Sequence, residues 1–431
     1  MAGYRDFINL KYKPKQSDLI SFVKVRIPHG ANWRDSLGAV GSESSIGTWT
    51  EVKAGKYAHV LKLGAKVFSV KKKGADYFAK IAYPLEHFEL GNMSQILASI
   101  SGNIFGMKAI ESLRIEDIRW PREIIKSFPG PQYGIEGIRK KLKIKDRPIL
   151  ITVAKPKVGM RTEEHCEVGR QIWLNGLDLL KDDENLAGQK FNKFEDRVKR
   201  AAKIRDWVEK EVGERKSYLI NITHSNFKEM EKRAKLVASL GWEYAMIDIV
   251  TTGFTALHSI RELCEDLGLA LHGHRAMHAA FTRNPNHGLS MLCLAEIARL
   301  LGVDQLHIGT AGIGKMTENE EESLEIEKAI TIHSRIKRTG ENWEGVKPVL
   351  PVASGGLHPG VVPAVLSKMG LNIGLQVGGG VHGHPNGSGA GAKAFRAAVD
   401  AFIEGKSLED CAKHCPELAQ ALKLWGTQKV I

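Results

Sequence analysis

The sequence predicts an α/β protein whose carboxyl-terminal part is a (β/α)8 TIM barrel, preceded by a small α+β domain of the ferredoxin-like kind. From Pro148 onward, eight short apolar stretches alternate with amphipathic stretches, which is the unit count of such a barrel. Before that point, strands and helices are mixed without a regular alternation. Six of the eight predicted barrel strands end in charged, histidine or glycine-rich segments. We therefore place the N-terminal domain at residues 1–127 and the barrel, with a helical tail, at residues 128–431.

The N-terminal domain is predicted as an open sheet with helices on one face. Its first strand is indicated by Val23, Val25 and Ile27, which alternate with two charged residues in the pattern of a half-buried strand. Further strands are predicted near Tyr57–Leu63, Lys66–Lys72, Asp76–Tyr83 and Leu113–Arg119, and helices at Trp33–Val40 and Met93–Ser101.

The barrel domain shows short apolar strands separated by helices with one apolar face. The predicted strands are Ile149–Ala154, Leu177–Leu180, Tyr218–Ile222, Tyr244–Val250, Leu269–His272, Gln305–Ile308, Val349–Ala353 and Ile373–Val377. The predicted helices include Glu163–Asn175, Phe194–Val212, Phe227–Leu240, Leu289–Leu301, Glu320–Lys337 and a tail from Leu408 to Trp425. In such an arrangement all strands end at the same mouth of the barrel, where the active site lies.

The composition is that of a soluble globular protein. The 431 residues suffice for two or three domains of about 100–200 residues each, and 43% of them are hydrophobic. We find no run of about 18 apolar residues and no amino-terminal signal, so we expect a cytoplasmic protein with no membrane partner. The spacing of the cysteines fits neither a zinc site nor a disulfide framework, so they are expected to be reduced and mostly packed; they are Cys166, Cys264, Cys293, Cys411 and Cys415.

The net charge of +13 requires that nucleic-acid binding be considered. The densest basic runs are Arg139–Arg147 and Lys71–Lys73, and neither is interleaved with aromatic residues that could stack on bases. Solvated surfaces explain both runs, and we expect no nucleic-acid partner. A positive field would also attract a multiply phosphorylated small substrate.

The stretch from Gly176 to Asn185 leads from apolar residues directly into a lysine and three acids. Lys181 and Asp183 project to the same side of a strand, and Glu184 joins them only if the strand ends and turns there. A free ammonium is a poor metal ligand, but a carbamate formed by CO2 on Lys181 would supply an anionic oxygen. The three groups could then hold one face of an octahedral Mg2+. On this stretch alone, a solvated acidic turn with Lys181 paired to an acid is the simpler interpretation.

The residues at the other strand ends favour the metal site over the solvated acidic turn. The segments are Lys155–Lys157 after the first strand, His272–Arg275 at the fifth, His307–Lys315 at the sixth, Ser354–Gly356 at the seventh and Gln376–Gly380 at the eighth. Each has an ordinary explanation by itself, since His272 can be a core histidine and a glycine run can be a plain turn. All of them at one mouth of one barrel indicate a catalytic face.

The residue types at this face suggest a substrate with two phosphates. Backbone N–H groups of Gly378, Gly379 and Ser354–Gly356 can bind one phosphate. Arg275 and His307 can bind a second. Two phosphate sites on either side of a metal indicate a short bisphosphate.

Proton transfer and loop closure complete the predicted chemistry. Lys155 and His274 can move protons, because burial and nearby cations lower a lysine pKa and a histidine titrates near neutrality. Lys315 lies in a glycine-rich loop that can close over the substrate and neutralise developing charge. Together these groups suggest enolisation of a sugar phosphate.

The segment from Gly176 to Glu184 resembles the metal-site signature of the large subunit of ribulose-1,5-bisphosphate carboxylase/oxygenase (RuBisCO), and the resemblance extends from about Leu19 to Gly405. It implies that Lys181 is a carbamylated ligand of Mg2+ beside Asp183 and Glu184, with CO2 incorporated as the carbamate. It also implies acid/base roles for Lys155 and His274 and a transition-state role for Lys315. The substrate-binding residues it implies here are Lys157, Arg275, His307, Ser354, Gly355, Gly356, Gln376, Val377, Gly378 and Gly379.

The N-terminal domain carries two further segments of this resemblance. Glu43–Thr50 resembles the family's Glu-Ser-Ser-x-Gly-Thr-Trp segment, which implies that Thr48 and Trp49 bind phosphate and that Glu43 pairs with Lys315. Gly102–Gly106 matches the segment whose asparagine, here Asn103, contacts substrate. Without the family, Thr48 and Trp49 would be interpreted as a strand end and Asn103 as a helix C-cap.

Two features favour the archaeal-type form III branch, which is associated with nucleoside-monophosphate salvage. The segment from His307 to Lys315 is one residue longer than the plant-type loop, and Arg275–Pro285 resembles that branch as well. The sequence departs from the family at Met316-Thr317-Glu318-Asn319, where Leu-Glu-Gly usually follows the loop lysine.

The resemblance implies a lyase that enolises ribulose 1,5-bisphosphate, adds CO2 and cleaves the product to 3-phosphoglycerate, with O2 as a competing substrate. It implies a homodimer with active sites shared between chains, and such dimers can assemble further. No small subunit is inferred.

Two other functions remain open at this point. The first is a RuBisCO-like enolase acting on a sugar phosphate of methionine salvage; such relatives usually replace several of the residues that match here. The second is a non-catalytic basic barrel that binds nucleic acid or phosphorylated ligands. That function would leave an intact metal set and acid/base pair without a purpose.

Overall fold

The structure, a computed structural model, describes residues 3–50, 52–315, 319–332 and 343–428. The chain divides into two compact units. The first comprises Met1–Pro129, Met277–Leu300 and Ile332–Val346, and the second comprises Gly130–Ala276, Leu301–Thr331 and Lys347–Ile431. The single boundary between residues 127 and 128 stays a prediction.

Within the described ranges, the secondary structure consists of short strands, helices of four to nineteen residues and five 3-10 turns. The strands are β1 Leu19–Arg26, β2 Lys66–Lys73, β3 Asp76–Tyr83, β4 Ser112–Arg119, β5 Ile149–Val153, β6 Leu179–Lys181, β7 Ser217–Asn221, β8 Tyr244–Asp248, β9 Ala270–His274, β10 Gly288–Leu289, β11 Gln305–His307, β12 Leu350–Ser354 and β13 Gly374–Val377. The helices are α1 Trp33–Glu43, α2 Ala58–Lys62, α3 Met93–Ile100, α4 Arg122–Lys126, α5 Gly134–Leu142, α6 Thr162–Leu174, α7 Phe194–Val212, α8 Phe227–Ser239, α9 Ile249–Thr252, α10 Phe254–Asp266, α11 Ala279–Thr282, α12 Met291–Leu301, α13 Glu320–Thr331, α14 Val362–Met369, α15 Gly379–His382, α16 Gly387–Ile403, α17 Leu408–Ala412 and α18 Pro416–Trp425.

The first unit is built on a five-stranded sheet in the order β10-β4-β1-β3-β2. Its long strands are antiparallel, and β10 joins the edge strand β4 in parallel. In β1, Val23 and Val25 are buried whereas Lys24 and Arg26 are only half-buried, as their alternation predicts. Arg26 pairs with Asp76 on β3 at 2.8 Å, directly across the register.

The prediction of a strand near Tyr57–Leu63 is wrong, because this segment contains helix α2. The N–H of Leu61 donates to Tyr57 O at 3.0 Å, so the backbone is satisfied locally and needs no sheet partner. None of the residues of α2 is buried. The β-prone tyrosine and valine of this stretch therefore have no apolar layer to pack against, and β propensity is not realised without one.

The second unit is a closed barrel of eight parallel strands in the order β11-β12-β13-β5-β6-β7-β8-β9. Every residue of β5, β7 and β8 is buried, which explains why these strands are mainly apolar and show no alternation of apolar and polar residues. The interior of the barrel is filled by side chains that include Ile151, Leu179 and Val352, and helix α5 packs Ile135 and Ile138 into the same cluster. The predicted α/β barrel with a preceding α+β domain is confirmed.

Several predicted barrel elements have other bounds in the structure, and for three of them the local cause is clear. Strand β8 stops at Asp248 because the backbone turns into helix α9. The helix predicted from Leu289 begins at Met291, since Gly288 and Leu289 form β10. The predicted tail helix is two helices, because Cys415 is extended before Pro416 and cannot continue α17.

Within the described part of the chain, no helix is long and apolar enough to cross a membrane. Cys166, Cys264 and Cys293 are buried, Cys411 and Cys415 are half-buried, and none forms a disulfide.

Candidate active site

Strands β5 and β6 place the predicted proton-transfer lysine beside a predicted metal ligand. Val153 pairs with Lys181 in the parallel register, so the residues two positions further along leave the barrel side by side. These are Lys155 and Asp183, and Lys155 Nζ lies 2.6 Å from Asp183 Oδ2. Burial alone would raise the pKa of Asp183, but the hydrogen bond and charge of Lys155, together with the hydrogen bonds from Asn185, outweigh it, and the pKa lies below its usual value.

Lys181 is fully buried at the end of β6. Its Nζ donates to the carbonyl oxygen of Asp182 at 2.7 Å. Burial lowers the pKa of this amine, against the opposing pull of the carboxylates around it, among which Glu184 is the strongest. The lowered pKa favours the uncharged amine, which is the form that reacts with CO2.

Glu184 lies between two of the other predicted residues. Its Oε1 is 3.4 Å from Lys157 Nζ, and its Oε2 is 3.6 Å from His274 Nε2. The chain leaves β6 at Lys181 and turns, so Glu184 reaches the same mouth as Asp183. The turn on which the predicted metal set depended is therefore present.

His274 ends β9 directly opposite Asp248, the last residue of β8. Its Nδ1 accepts from the Ala276 N–H at 3.2 Å and lies 3.2 Å from Asp248 Oδ1. Burial lowers the pKa of His274, as does the nearby Lys181, while Asp248 and Glu184 oppose the shift. His274 is therefore held in the neutral form, which can accept a proton.

Asp248 was missed by sequence reasoning. The predicted strand continued to Val250 and hid the fact that this acid stands at a strand end. Asp248 is buried, and its backbone N–H donates to the Thr223 hydroxyl oxygen at 3.0 Å. The available signal was one acid inside the apolar run Tyr244–Val250, at the mouth where the catalytic residues lie.

Sequence reasoning also missed a set of residues that stabilise the segment Lys181–Glu184 through Asp182. Asp182, between two predicted ligands, accepts from the Tyr218 hydroxyl, from Arg197 Nη2 at 3.2 Å and from the Asn221 N–H at 3.0 Å. His165 Nε2 lies 2.8 Å from the same tyrosine hydroxyl. Asp182 and Arg197 are fully buried, so they form a buried ion pair with further hydrogen bonds around it.

The sixth and seventh barrel strands bring His307 and Ser354 together. His307 Nδ1 lies 2.7 Å from Ser354 Oγ, and His307 Nε2 lies 3.0 Å from His272 Nε2. Burial lowers the pKa of both histidines well below the usual value. Arg275 follows His274 and is also buried.

The glycine-rich segments approach one another closely at the same mouth. The Lys315 N–H donates to Gly355 O at 2.9 Å, and a Cβ on Gly314 would lie 1.9 Å from that oxygen. Gly356 has a φ of +84°, which side-chain-bearing residues rarely adopt. The predicted loop therefore depends on glycine for its close approach to the turn after β12.

The eighth strand ends in Gln376 and Val377, Gly378 follows it, and Gly379 begins the short helix α15. Ser354 is directly opposite Gln376 in the register. Gln376 Oε1 is buried and has no hydrogen-bond partner among the described residues, as expected for a group that awaits a ligand. A Cβ on Gly378 would lie 3.2 Å from Lys155 Cε, so glycine leaves room for that lysine.

Four predicted site residues belong to the first unit. Glu43 ends α1, and its Oε1 accepts from Asn103 Nδ2 at 3.2 Å. Thr48 and Trp49 lie in the loop after α1, where Trp49 is 79% exposed. Neither residue is at a strand end, and Asn103 begins a 3-10 turn rather than capping α3. Of the segment after the loop lysine, Met316, Thr317 and Glu318 lie outside the described residues.

The donor set at this mouth fits a metal only if Lys181 takes part. Among the described residues, no three His, Cys, Asp or Glu side chains form a group that could hold a metal ion. Asp183 and Glu184 supply two carboxylates, and the buried Lys181 amine supplies the third position once it carries CO2. This combination fits Mg2+, which prefers anionic oxygen ligands.

A cavity of about 660 Å³ lies at the other end of the barrel. It is lined by residues that precede strands, among them Arg147, Asp178 and Arg215. Arg147 pairs with Asp178 at 2.6 Å, and Arg215 pairs with Glu243 at 2.6 Å. Its ion pairs are structural, and none of the predicted catalytic residues lines it.

Comparison with known proteins gives one result along the whole chain. Residues 134–425 match the family model for the catalytic domain of the ribulose bisphosphate carboxylase large chain, and residues 6–124 match the model for its N-terminal domain. A ribulose bisphosphate carboxylase of Pyrococcus abyssi is 50% identical over 427 residues, covering 99% of this chain and 97% of that one. A ribulose bisphosphate carboxylase of Methanocaldococcus jannaschii is 49% identical over 431 residues, covering 97% of this chain and 100% of that one.

Solved structures give the same result. The dimeric archaeal RuBisCO of Hyperthermus butylicus matches with a TM-score of 0.93 and 47% identity, covering 98% of this chain and 99% of that one. The octameric RuBisCO of Pyrococcus horikoshii, in complex with sulfate, matches with a TM-score of 0.92 and 48% identity, covering 99% and 98%. This chain therefore belongs to the ribulose bisphosphate carboxylase large-chain family of enzymes.

Proposed function

We propose that this protein is a ribulose-1,5-bisphosphate carboxylase that adds CO2 to the enolised sugar and yields 3-phosphoglycerate, with O2 as a competing substrate. The observation that carries the proposal is the fully buried Lys181 amine at the barrel mouth, with Asp183 and Glu184 beside it. A buried lysine without a binding role would need a complete set of partners, whereas the described partner of this amine is one backbone carbonyl.

Lys181, Asp183 and Glu184 would hold Mg2+. The uncharged Lys181 amine forms a bond to the carbon of CO2 and releases a proton, which leaves an anionic carbamate in the buried site. Asp182 keeps this segment in place through its bonds to Tyr218 and Arg197. Mg2+ bound there would act as a Lewis acid on the substrate carbonyl.

Two groups of this chain are placed to move protons. Neutral His274 has one unprotonated ring nitrogen that can accept a proton; its Nδ1 faces Asp248 and its Nε2 faces Glu184. Lys155, held against Asp183, can donate a proton to the substrate or return one. Lys157 near Glu184 supports the same edge of the site.

The remaining residues bind and enclose the substrate. Arg275, His307 and Ser354 lie where an anionic group can be bound, and Gln376–Gly379 with Gly355 and Gly356 offer a second group of polar contacts. Lys315 lies on the loop that closes the site. Glu43, Thr48, Trp49 and Asn103 are proposed to reach the barrel mouth of a partner subunit, in a homodimer with two shared sites. The dimeric and octameric assemblies of related RuBisCOs support this arrangement.

The direct test is the incorporation of labelled CO2 into acid-stable product from ribulose 1,5-bisphosphate and Mg2+. Product formation supports the proposal. Exchange of the substrate's C3 proton without any incorporation would favour the alternative, a RuBisCO-like enolase. Retention on heparin or RNA at moderate salt, without either activity, would favour the basic binding barrel.

The metabolic role that we propose is nucleoside-monophosphate salvage, which is suggested by the resemblance of Arg275–Pro285 and of the His307–Lys315 loop to the archaeal-type branch. Cells that lack this protein should then lose incorporation of labelled CO2 during growth on nucleosides. Unchanged incorporation would exclude that role while leaving the carboxylase assay unaffected.

A further inference from the structure

Five side chains form one continuous hydrogen-bonded chain through the barrel interior. Gln305 Nε2 lies 2.9 Å from Tyr244 Oη, and Gln305 Oε1 lies 3.0 Å from His272 Nδ1. His272 Nε2 lies 3.0 Å from His307 Nε2, and His307 Nδ1 lies 2.7 Å from Ser354 Oγ. The register explains the middle of the chain, since His272 is directly opposite Gln305. This chain of hydrogen bonds thus joins Tyr244, deep in the core, to Ser354, a predicted substrate-binding residue.

The protons in this chain can run in only two directions. Each hydrogen bond between these side chains contains one proton. A neutral histidine ring has one N–H donor and one acceptor nitrogen, so the role of one nitrogen fixes the role of the other. Both histidines are buried, and neither has a carboxylate partner among the described residues, so both are neutral. If His272 carries its proton on Nδ1, then Ser354 donates inward to His307. If His272 carries it on Nε2, then His307 donates outward to Ser354.

Tyr244 decides between these directions. Its side chain is fully buried, and Gln305 is the partner of its hydroxyl within the described residues. The two ends of the Gln305 amide have the same shape, so its contacts fit either way round. With the amide nitrogen toward Tyr244, the tyrosine proton has no acceptor, which is costly in a dry interior. With the amide oxygen toward Tyr244, the tyrosine hydroxyl and the N–H of each histidine all have an acceptor among these five side chains.

We propose that Tyr244 and Gln305 are positioning residues that set the direction of this chain and thereby make the Ser354 hydroxyl a donor to the bound ligand. In this direction Tyr244 donates to the Gln305 oxygen, and the Gln305 nitrogen donates to His272 Nδ1. His272 Nε2 then donates to His307 Nε2, and His307 Nδ1 donates to Ser354 Oγ. The hydroxyl proton of Ser354 is left for a ligand oxygen that carries no proton, such as a phosphate or carbonyl oxygen.

The direction can be measured in the ligand-free protein by nitrogen-15 NMR of labelled histidine, with the resonances assigned from His272→Gln and His307→Asn. We expect the proton of His272 on Nε2 and that of His307 on Nδ1. The opposite pair of tautomers, or a charged ring at neutral pH, would overturn the proposal. This measurement does not depend on catalysis, so it stands even if the proposed carboxylase function fails.

Gln305→Glu provides a nearly isosteric test, because a carboxylate only accepts hydrogen bonds. His272 should then acquire a proton on Nδ1, whereas in the opposite direction Nδ1 already carries one and nothing changes. Gln420→Glu on the exposed side of α18 introduces the same charge and should leave the histidine signals as they are. If the buried carboxylate prevents folding, Tyr244→Phe removes the donor that sets the direction and should yield a mixture of His272 tautomers; a single unchanged tautomer would contradict the proposal.

The consequence for binding rests on the proposed function, in which Ser354 contacts the substrate. Binding of ribulose 1,5-bisphosphate, measured by calorimetry without CO2 or Mg2+, should weaken about tenfold or more in Gln305→Glu, the loss of one hydrogen bond to a charged group. In a Ser354→Ala background the same substitution should have little further effect. An equal loss in both backgrounds would mean that Gln305 acts on the fold rather than through Ser354. Absence of binding by the unaltered protein would instead count against the proposed function.

Discussion

The Lys155 ammonium lies 2.6 Å from the Asp183 carboxylate, across the neighbouring strands β5 and β6. This ion pair joins a proposed proton-transfer group to a proposed metal ligand. If Asp183 binds Mg2+ as proposed, part of its charge would be shared with the metal and its attraction for Lys155 would weaken. The proposal therefore links occupancy of the metal site to the freedom of Lys155 to act on substrate.

The first prediction concerns activation at Lys181. Activity should require preincubation with CO2 and Mg2+ and should rise with pH, because only the uncharged amine forms the carbamate. Burial lowers the pKa of this lysine, so the rise should begin below the pH at which an ordinary lysine loses its proton. Initial rates after preincubation at a series of pH values measure it.

Lys181→Arg cannot form the carbamate and should be inactive at any CO2 concentration. Lys216→Arg is the matched control. Lys216 directly precedes β7 and is equally buried, but its amine donates to the carbonyl oxygen of Leu177. The control should keep its dependence on CO2. A fully active Lys181→Arg would contradict the metal site.

The second prediction separates enolisation of the substrate from its carboxylation. Lys315→Ala should lower carboxylation by about a hundredfold or more, the usual effect of removing a group that stabilises developing charge. Exchange of the C3 proton should persist, because the metal and the bases remain. Lys423→Ala on exposed α18 should leave both unchanged. Equal loss of both reactions in Lys315→Ala would show that this lysine acts before carboxylation.

The third prediction is that the site is shared between two chains. Glu43→Gln and Lys181→Met should each be inactive, whereas heterodimers of the two should recover up to about half of the normal activity, since one of two sites is intact. Purified heterodimers assayed for CO2 incorporation measure it. Inactive heterodimers of folded chains, or a fully active monomer, would exclude the shared site.

The fourth prediction concerns stability and pH at Glu327 on α13. Burial raises the pKa of this carboxyl from 4.5 to about 7. The unfolded chain therefore releases this proton at a lower pH than the folded chain, and the folded state loses stability as pH rises from about 4.5 to about 7.

Glu327→Gln removes that loss and should raise stability at pH 8 by about 1–3 kcal/mol, with little effect at pH 4. Thermal melts at both pH values measure the difference, and Glu321→Gln on the exposed face of the same helix is the control. An equal gain at both pH values would show that ionisation of Glu327 is not its cause.

Sequence reasoning was most successful where local pattern decides structure. The apolar barrel strands and the polar residues that follow them were found because burial and strand direction leave a local signature. The bonds from Arg197 and Tyr218 to Asp182 have no such signature, because they join separate elements, α7 and β7, to the turn after β6. The chain from Tyr244 to Ser354 depends likewise on the order of four barrel strands. Helix α2 was missed because β-prone residues were given weight without a partner strand.

Strand β10 ties the first unit to a late part of the polypeptide. Gly288 and Leu289 pair with Arg114 and Ile115 of β4, and Arg114 Nη1 donates to the carbonyl oxygens of Thr282 and Asn284, each at 2.8 Å. A nascent chain must therefore expose the segment up to Leu289 outside the ribosome before the amino-terminal sheet is complete. A fragment that stops at Pro129 would retain an open edge at β4, and expression of this fragment alone should yield a protein prone to edge-to-edge aggregation.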